Sequence, residues 1–403
     1  MSLEQDTFAI EDAHSPPFFK KIRIAIDRGQ GVRVWDEDNR CYLDFTAGWG
    51  VTCLGHSHPA IIAALETQGR KIMQNPNSGT TYSPARAQLL ALMAGILPGD
   101  LTRVFFSNSG AEANDAAIKL ARKVTGRMDV ISTHQSFHGR TISTASATGQ
   151  AKHRNKFNPL MPNYRFVSYD NVVEMADALD DRVAAVVLEP IQGEGGVIIP
   201  AGGYLRAVSD LCKRNGTLLI IDEVQTGFCR TGPMFATAGM NLEIAFLTMA
   251  KGIAGGFPFG AFAMTEGIAR CLERGDHGGT YSGNPLGCAV AHAVITYLLE
   301  NDLASHVKKM GAIMMEELGR WQDGFPSLIK SVRGRGLLIA LEVARPEQAE
   351  AVAGESLKRG LFINVTQGNI IRLFPALNIA REEADEGLAL LKKAIGIVVE
   401  SGV

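Results

Sequence analysis

The sequence lacks the features that mark several classes of protein. Its 40 basic and 42 acidic residues give a formal net charge of −2, so it has no basic excess of the kind that binds nucleic acid or an anionic membrane. Its six cysteines include no Cys-x-x-Cys pair, which argues against a zinc site and a disulfide framework. It has neither the apolar run of about 18 residues that a transmembrane helix needs nor the apolar core of a signal peptide. These absences predict a cytoplasmic protein with no metal, nucleic-acid or membrane partner.

A nucleotide-binding P-loop is also missing. The segment LLIIDE at 218–223 resembles the strand that carries the magnesium-binding acid of P-loop enzymes, but the chain has no Gly-x-x-x-x-Gly-Lys motif and no Gly-Lys pair. Glycine itself is abundant, with 43 residues, and many lie in short clusters between apolar runs. Because such clusters occur where backbone turns tightly or approaches a ligand, they are the first indication of a binding site.

The 403 residues, of which 46% are hydrophobic, predict more than one domain around a sizeable core. Residues 1 to about 30 are expected to be irregular, and VRVWDEDNRCYLDF at 32–45 predicts a β-hairpin. Between residues 100 and 265, apolar runs alternate with helical patterns, which predicts an α/β domain with a mostly parallel sheet. The predicted division is an N-terminal segment at 1–49 that contributes to the small domain, a large domain at 50–288, and a C-terminal small α+β domain at 289–403.

Ligands of parallel sheets bind beyond the carboxyl ends of the strands, so the residues that follow each apolar run are the candidates for chemistry. The first run leads into Ser109, Gly110 and Ala111 at the start of a predicted helix. The free N–H groups and the dipole of a helix N-terminus bind anions, and small residues let a phosphate approach closely. By itself this segment is more typical of an ordinary serine N-cap. The predicted strands are 103–106, 128–131, 183–188, 217–221 and 244–248.

Aromatic and charged side chains follow the next two runs. Phe137 can stack on a planar ligand, and Arg140 can bind a carboxylate through two hydrogen bonds. Glu189 and Glu194 bracket a glycine-rich loop, where an acid pair of the glycosidase type is conceivable. For each segment alone, a packed phenylalanine, a solvated arginine and solvated loop acids are the simpler interpretation.

The last two runs end in Asp222 and Lys251. Burial of a carboxylate at the end of an apolar strand is costly without a cationic partner. A lysine at a strand end is most often a surface residue, whereas desolvation there would lower its pKa and make it a Schiff-base nucleophile. Pyridoxal 5′-phosphate (PLP) needs donors for its phosphate, apolar faces for its ring, an acid for its pyridinium nitrogen and a lysine for its aldehyde. Because all of these fall at one predicted sheet edge, their combination predicts a PLP enzyme.

These segments resemble the class III (ω-amino acid) aminotransferases of PLP fold type I, over nearly the whole chain. The resemblance implies a large domain, in which helices flank a mostly parallel mixed sheet, and a smaller α+β domain. It also implies a PLP-dependent aminotransferase that works as a homodimer with two shared active sites. The motifs are FFSNSGAEANDAAIKLAR, SFHGRT, LEPIQGEGG, IIDEVQTGFCRTG, TMAKGIAGGFPFGA, GGTYSGNPLGCAVA and VRGRGLLIALE.

The resemblance assigns cofactor roles residue by residue. It implies that Lys251 and Asp222 are catalytic: Lys251 holds the cofactor and moves a proton, and Asp222 pairs with the pyridinium nitrogen. Thr280 would complete the phosphate site from the neighbouring subunit. The other implied contacts are Ser109, Gly110 and Ala111 with the phosphate, Phe137 and Val224 with the ring faces, Gln225 with the phenolic oxygen, and Glu189 near the cofactor.

The resemblance also implies two substrates that alternate in ping-pong chemistry. Arg372 would bind the α-carboxylate of glutamate or 2-oxoglutarate, and Glu194 would pair with Arg372 while an ω-amino donor is bound. Arg140 would bind the carboxylate of that donor. Gly279, which precedes Thr280, is a further candidate substrate contact.

The identity of the donor rests on finer likenesses. The segment ATGQAKHRNKFNPLMPNYRFVSYDN and the chain length resemble acetylornithine aminotransferases, which makes N-acetylornithine the favoured donor. The pair Gly278-Gly279 is more like the 4-aminobutyrate branch, and Trp49 replaces a small or aliphatic residue, either to narrow the pocket or to pack. An aminotransferase for 4-aminobutyrate or another diamine or ω-amino acid is the alternative. A non-transaminating fold type I enzyme and a PLP-binding protein without catalysis are further alternatives.

Overall fold

The computed structural model describes residues 7–402. The first elements are a short exposed helix, α1 (Thr7–His14), and three antiparallel strands, β1 (Ile26–Gln30), β2 (Arg33–Asp36) and β3 (Cys41–Asp44). The hairpin predicted at 32–45 is confirmed as the β2–β3 pair. The prediction of an irregular segment to about residue 30 is wrong, because α1 and β1 lie within it.

Three helical segments and a turn lead into the central sheet. Proline occupies the first turn of both longer helices, where its fixed φ suits the helix and its missing N–H leaves no bond unmade. The segments are α2 (Ala47–Gly50), α3 (Pro59–Gly69), the 3₁₀ turn Ser78–Thr80, and α4 (Pro84–Ala94).

The central sheet has seven strands, all of which except one run in the same direction. Its strands are β4 (Leu101–Ser107), β5 (Asp129–Thr133), β6 (Tyr164–Val167), β7 (Val183–Leu188), β8 (Leu218–Asp222), β9 (Phe246–Met249) and β10 (Gly260–Thr265). The helices between them are α5 (Gly110–Thr125), α6 (Ile142–Ala147), α7 (Ala151–Arg154), α8 (Val172–Ala178), α9 (Tyr204–Asn215) and α10 (Glu266–Ala269), with 3₁₀ turns at Asn155–Phe157 and Lys251–Ile253.

The strand order is β4-β10-β9-β8-β7-β5-β6, and β10 is antiparallel to both of its neighbours. The predicted mostly parallel sheet is therefore confirmed, and each predicted strand corresponds to an observed one. The sequence missed β6, a four-residue edge strand, and β10, whose sequence GAFAMT is poor in β-branched residues. Strands β7 and β9 are buried throughout, as strands covered on both faces by helices are expected to be.

The C-terminal part builds a second, four-stranded sheet of order β11-β12-β15-β14. Strand β13 lies apart from it and pairs in parallel with β3, so the N-terminal strands join a sheet with the C-terminal part. The elements are α11 (Pro285–Glu300), α12 (Leu303–Gly324), β11 (Ile329–Arg335), β12 (Leu338–Val343), α13 (Pro346–Lys358), β13 (Leu361–Phe362), β14 (Asn364–Thr366), β15 (Ile370–Leu373) and α14 (Arg381–Glu400).

The predicted domain division stays a prediction. Its second boundary, between residues 288 and 289, falls inside α11, and residues 1–6 and 403 lie outside the described residues. Among residues 7–402, no helix is both long enough and apolar enough to cross a membrane.

Candidate active site

A cavity of about 470 Å³ opens where the parallel strands end. Its walls come from the segments that follow β5, β7, β8 and β9 and from the N-terminus of α5, which is the sheet edge that the sequence indicated. The predicted residues that line it are Ser109, Gly110, Ala111, Phe137, Arg140, Glu189, Glu194, Asp222, Val224, Gln225 and Lys251.

Lys251 comes two residues after β9 and begins the turn Lys251–Ile253. Its φ of +43° is in the left-handed region, which residues other than glycine rarely adopt. Its Nζ donates a hydrogen bond of 2.8 Å to Oε1 of Gln225. Burial lowers the pKa of Lys251, while the nearby carboxylate of Glu194 opposes that effect. Backbone strain and a lowered lysine pKa in one cavity are the marks of a functional residue.

Asp222 is the last residue of β8, and only 3% of it is exposed. Its Oδ2 accepts hydrogen bonds from Nδ2 of Asn114 and Nδ1 of His138, each at 2.7 Å, and its Oδ1 accepts one from the backbone N–H of Val224 at 3.0 Å. Both oxygens of this buried carboxylate therefore have hydrogen-bond partners.

His138 is the cationic partner that the buried Asp222 requires. Burial of the imidazole lowers its pKa, but the hydrogen bond and the negative charge of Asp222 outweigh burial, so the pKa of His138 is raised. Nε2 of His138 lies 3.3 Å from the hydroxyl of Ser132. The structure thus holds a buried ion pair whose other hydrogen-bonding atoms also have partners, which is the condition for burying charge at acceptable cost.

The N-terminus of α5 forms another wall of the cavity. The hydroxyl of Ser109 caps the helix by accepting the N–H of Glu112 at 3.2 Å. A side chain at Gly110 would lie 2.8 Å from the methyl groups of Val224, so only glycine allows this close approach. Ser109 thus caps the helix, and the same helix start carries the N-terminal N–H groups on which the prediction of anion binding rests.

Glu189 is buried in the wall of the cavity, and no cationic side chain of residues 7–402 forms an ion pair with it. Its Oε2 accepts the backbone N–H of Phe137 at 3.1 Å, and its Oε1 accepts that of Gly193 at 3.2 Å. Burial raises the pKa of Glu189 to about 7, against the opposing charge of His138. Since both of its oxygens bind backbone, Glu189 is not arranged as half of a glycosidase acid pair.

Glu194 and Arg372 form an ion pair beside the cavity. Oε1 of Glu194 accepts Nη2 of Arg372 at 2.8 Å, and Arg372 is only 1% exposed. Burial raises the pKa of Glu194, but the charge and hydrogen bond of Arg372 outweigh it, so the pKa is lowered. Glu194 lines the cavity, whereas Arg372 is not among the described residues that do so. The carboxylate therefore lies between the cavity and the cation.

Gly279 and Thr280 lie outside this cavity, in an exposed loop that borders a separate hollow of about 610 Å³. The hydroxyl of Ser78 donates to the carbonyl oxygen of Thr280 at 2.6 Å. Within one chain, these two residues are therefore not brought together with Lys251 and Asp222.

Trp49 belongs to α2, a turn in which four consecutive residues have positive φ, and it is 52% exposed. Its ring centroid lies 6.1 Å from that of Phe19. Trp49 is not among the described residues that line the cavity, whereas Val51, two residues later, is. The prediction that Trp49 either narrows the pocket or packs stays open between those two.

A family model described as Aminotransferase class-III matches residues 16–395. The chain belongs to the class III aminotransferases. It is a PLP-dependent transaminase whose substrates are an amino donor and a keto acid, so the predicted family, fold class, enzyme class and cofactor are confirmed.

Similar aminotransferases match nearly the full length. The acetylornithine aminotransferase of Methanothermobacter thermautotrophicus is 42% identical over 372 residues, which cover 92% of this chain and 94% of that protein. The acetylornithine aminotransferase of Methanopyrus kandleri is 40% identical, and the match covers 97% of this chain and 99% of the relative. A structure of the Toxoplasma gondii ornithine aminotransferase, described with partial occupancy of PLP at its active site, has a TM-score of 0.92 at 34% identity and covers 99% of this chain and 96% of that chain.

The residues of the cavity fit the cofactor of these aminotransferases. Nε2 of Gln225 is a buried donor without a hydrogen-bond partner among residues 7–402, so it is available to an acceptor on a bound molecule. The helix start at Gly110, the carboxyl group of Asp222 and the amine of Lys251 all border the same space. These groups are of the chemical types that the phosphate, the pyridinium nitrogen and the aldehyde of PLP require.

Sequence reasoning missed three polar residues of this aminotransferase site. Asn114 donates to Asp222 and accepts the hydroxyl of Thr248 at 2.6 Å, and its signal was an amide on the otherwise alanine-rich buried face of α5. His138 lies in the quoted SFHGRT motif, but its role as the partner of Asp222 had no local signal. Asn364 contacts Arg372 across a strand pair, and nothing in its own segment indicated this.

Proposed function

We propose that this aminotransferase transfers an amino group from an ω-amino donor, with N-acetylornithine favoured, to 2-oxoglutarate by a ping-pong mechanism. The observation that carries the proposal is the 2.8 Å pair of Glu194 and Arg372 beside the cavity. A buried cation behind a removable carboxylate suits two alternating substrates that differ in where they carry a carboxylate. The names of the relatives, acetylornithine aminotransferases at 42% and 40% identity, support the donor.

In this proposal the predicted cofactor contacts keep their roles. PLP, when bound, supplies an aldehyde that condenses with amines and a ring that withdraws electrons. Lys251 holds the cofactor and then carries a proton on Nζ, which its lowered pKa supports. Asp222 pairs with the ring nitrogen. The remaining contacts are Ser109, Gly110 and Ala111 with the phosphate, Phe137 and Val224 with the ring faces, Gln225 with the phenolic oxygen, and Glu189 nearby.

The proposed substrate contacts lie around Arg372. With the donor bound, Glu194 stays paired with Arg372. Arg140, which is exposed at the edge of the cavity, then binds the carboxylate of the donor. With 2-oxoglutarate bound, Glu194 moves away and Arg372 binds the α-carboxylate. Gly279 is a further proposed substrate contact.

The proposal includes a cytoplasmic homodimer. Thr280 and Gly279 would reach the active site of the neighbouring subunit, which is consistent with their exposure and with their lying outside the cavity lining of their own chain. All six cysteines are free, which supports a reducing compartment. The predicted division into residues 1–49, 50–288 and 289–403 is also kept as a proposal.

A donor panel tests the substrate. The PLP form of the purified enzyme is mixed separately with N-acetylornithine, ornithine, 4-aminobutyrate, putrescine and diaminobutyrate, and loss of the cofactor's absorbance is followed. We expect N-acetylornithine to react fastest, and subsequent addition of 2-oxoglutarate to restore the absorbance and release glutamate. Lys251→Ala serves as the inactive control, and borohydride reduction of the wild type should attach the cofactor to Lys251.

The alternative donor class is favoured by one observation, the Gly278-Gly279 pair before Thr280. Fastest reaction with 4-aminobutyrate or a diamine would replace N-acetylornithine with that donor. If no amine of the panel leads to glutamate while PLP stays bound, the proposed donors and the proposed acceptor 2-oxoglutarate are contradicted.

A further inference from the structure

Asn364 binds one edge of the Arg372 guanidinium, and the other edge includes a nitrogen that has no hydrogen-bond partner among residues 7–402. Its Nε and Nη2 both donate to Oδ1 of Asn364, at 3.1 and 2.9 Å. Its Nη2 also donates to Glu194, while Nη1 is buried without a hydrogen-bond partner among residues 7–402. The Cζ atom lies 4.5 Å from the ring centroid of Phe374, which supports one face. The edge formed by Nη1 and Nη2 is thus the one that a carboxylate can bind through two hydrogen bonds.

Asn364 reaches this position through the regular pairing of two strands. It lies directly opposite Arg372 in the antiparallel β14–β15 ladder. Two residues later, the hydroxyl of Thr366 donates to the backbone oxygen of Glu194 at 3.1 Å, and the amide of Gln367 donates to the same oxygen at 2.6 Å. The β14–β15 hairpin therefore holds the Arg372 side chain and the backbone of the Glu194 loop, while the Glu194 carboxylate is bound by Arg372.

We propose that Asn364 is a positioning residue for the keto-acid acceptor. By holding the Nε–Nη2 edge of Arg372, it keeps the Nη1–Nη2 edge presented to the cavity when the carboxylate of Glu194 leaves. This inference rests on the proposed function, in which Arg372 binds the carboxylate of 2-oxoglutarate. Asn364 itself touches neither the substrate nor the cofactor in this proposal.

The amide of asparagine suits this role better than other side chains of similar size. An aspartate could accept the same two hydrogen bonds, but its charge would cancel that of Arg372 permanently, and an incoming carboxylate would then be a buried anion without a counter-ion. A leucine of similar size would leave Nε without an acceptor and the guanidinium free to turn. Only a neutral acceptor both fixes the cation and leaves its charge for the substrate.

The test follows the two half-reactions of the holoenzyme separately by stopped-flow absorbance, and the KM for 2-oxoglutarate is measured by steady-state kinetics. The variants are Asn364→Leu and the nearly isosteric Asn364→Asp, with Asn369→Leu as the matched control. Asn369 lies in the same hairpin, but its amide donates to the carbonyl of Val343 at 3.0 Å, away from Arg372. The PLP form is mixed with the amino donor, and the aminated form is mixed with 2-oxoglutarate.

We expect both Asn364 variants to raise the KM for 2-oxoglutarate by roughly tenfold to a hundredfold, with the donor half-reaction within about twofold of wild type. Asn369→Leu should leave both half-reactions unchanged. Unchanged KM for 2-oxoglutarate in both Asn364 variants, when Arg372→Ala raises it, would overturn the role of Asn364 and leave the proposed function standing. Equal weakening of both half-reactions together with a lowered Tm would also overturn it, in favour of a purely structural role. If Arg372→Ala does not raise this KM either, the proposed function itself fails.

Discussion

The acidic residues around the cavity differ in how their charge is balanced. Asp222 contacts His138, and Glu194 contacts Arg372, so each of these carboxylates has a cation within 2.8 Å. Glu189 has only backbone N–H donors, and its pKa is raised to about 7. The protonation of Glu189 therefore changes near neutral pH.

The raised pKa predicts that burial of Glu189 lowers the free energy of unfolding by an amount that depends on pH. In the unfolded chain its pKa is near 4.5, so below that value both states are protonated and the cost is absent. The cost grows as the pH rises toward 7 and then levels off, reaching on the order of 3 kcal/mol. In urea unfolding at pH 5 to 8, Glu189→Gln should therefore gain stability relative to wild type as the pH rises.

Glutamine has one hydrogen-bond acceptor fewer than glutamate, and this loss also changes the free energy of unfolding of Glu189→Gln. That change does not vary with pH. A difference in free energy of unfolding that stays constant from pH 5 to 8 would contradict the raised pKa of Glu189.

Arg372 carries a second prediction at this scale. Arg372→Ala should retain PLP, since the side chain does not line the cavity, but should lose roughly tenfold to a hundredfold in kcat/KM for 2-oxoglutarate, the worth of a charge-assisted pair. Steady-state kinetics at varied 2-oxoglutarate, with the bound PLP absorbance as the control for folding, measure this. An unchanged kcat/KM would refute the proposed role of Arg372.

At the scale of elements, the long helix α12 offers two glycines in contrasting surroundings. A methyl group at Gly319 would meet nothing within 4 Å, whereas one at Gly311 would overlap the backbone of Gly336. Gly319→Ala should therefore stabilise the protein by about 1 kcal/mol through helix propensity alone. Gly311→Ala should destabilise it by at least about 1–3 kcal/mol through overpacking.

Urea unfolding of the two alanine variants beside wild type measures both effects, and each glycine serves as the control for the other. Shifts of the same sign in both variants would show that packing around α12 is not as described.

At the scale of the whole molecule, the proposed dimer makes a prediction about shared sites. If Thr280 serves the neighbouring subunit, Lys251→Ala and Thr280→Asp chains should each be inactive alone. Denatured together and refolded as a mixture, they should regain about a quarter of wild-type activity, because half of the dimers would carry one intact site. Activity assays with size-exclusion chromatography check this, and no recovery in a mixture that forms dimers would argue that each chain completes its own site.

Local patterns in the sequence were sufficient for much of the fold. The apolar runs of β7 and β8 are continuous because both faces of those strands are covered, and Asp222 and Lys251 are conspicuous because they interrupt such runs. In contrast, β10 is inserted antiparallel between β4 and β9, two strands far apart in the chain, and no local pattern records that order.

What the sequence determined by itself, then, is which residues lie at the ends of the strands, and hence the cofactor chemistry, because parallel strands bring their carboxyl ends to one edge. What only the tertiary structure decided is which groups hold those residues in place. Asn114 lies 108 positions from Asp222, and Glu194 lies 178 positions from Arg372. Such hydrogen bonds form between segments whose proximity depends on the packing of the whole chain, so their partners cannot be read from either segment alone.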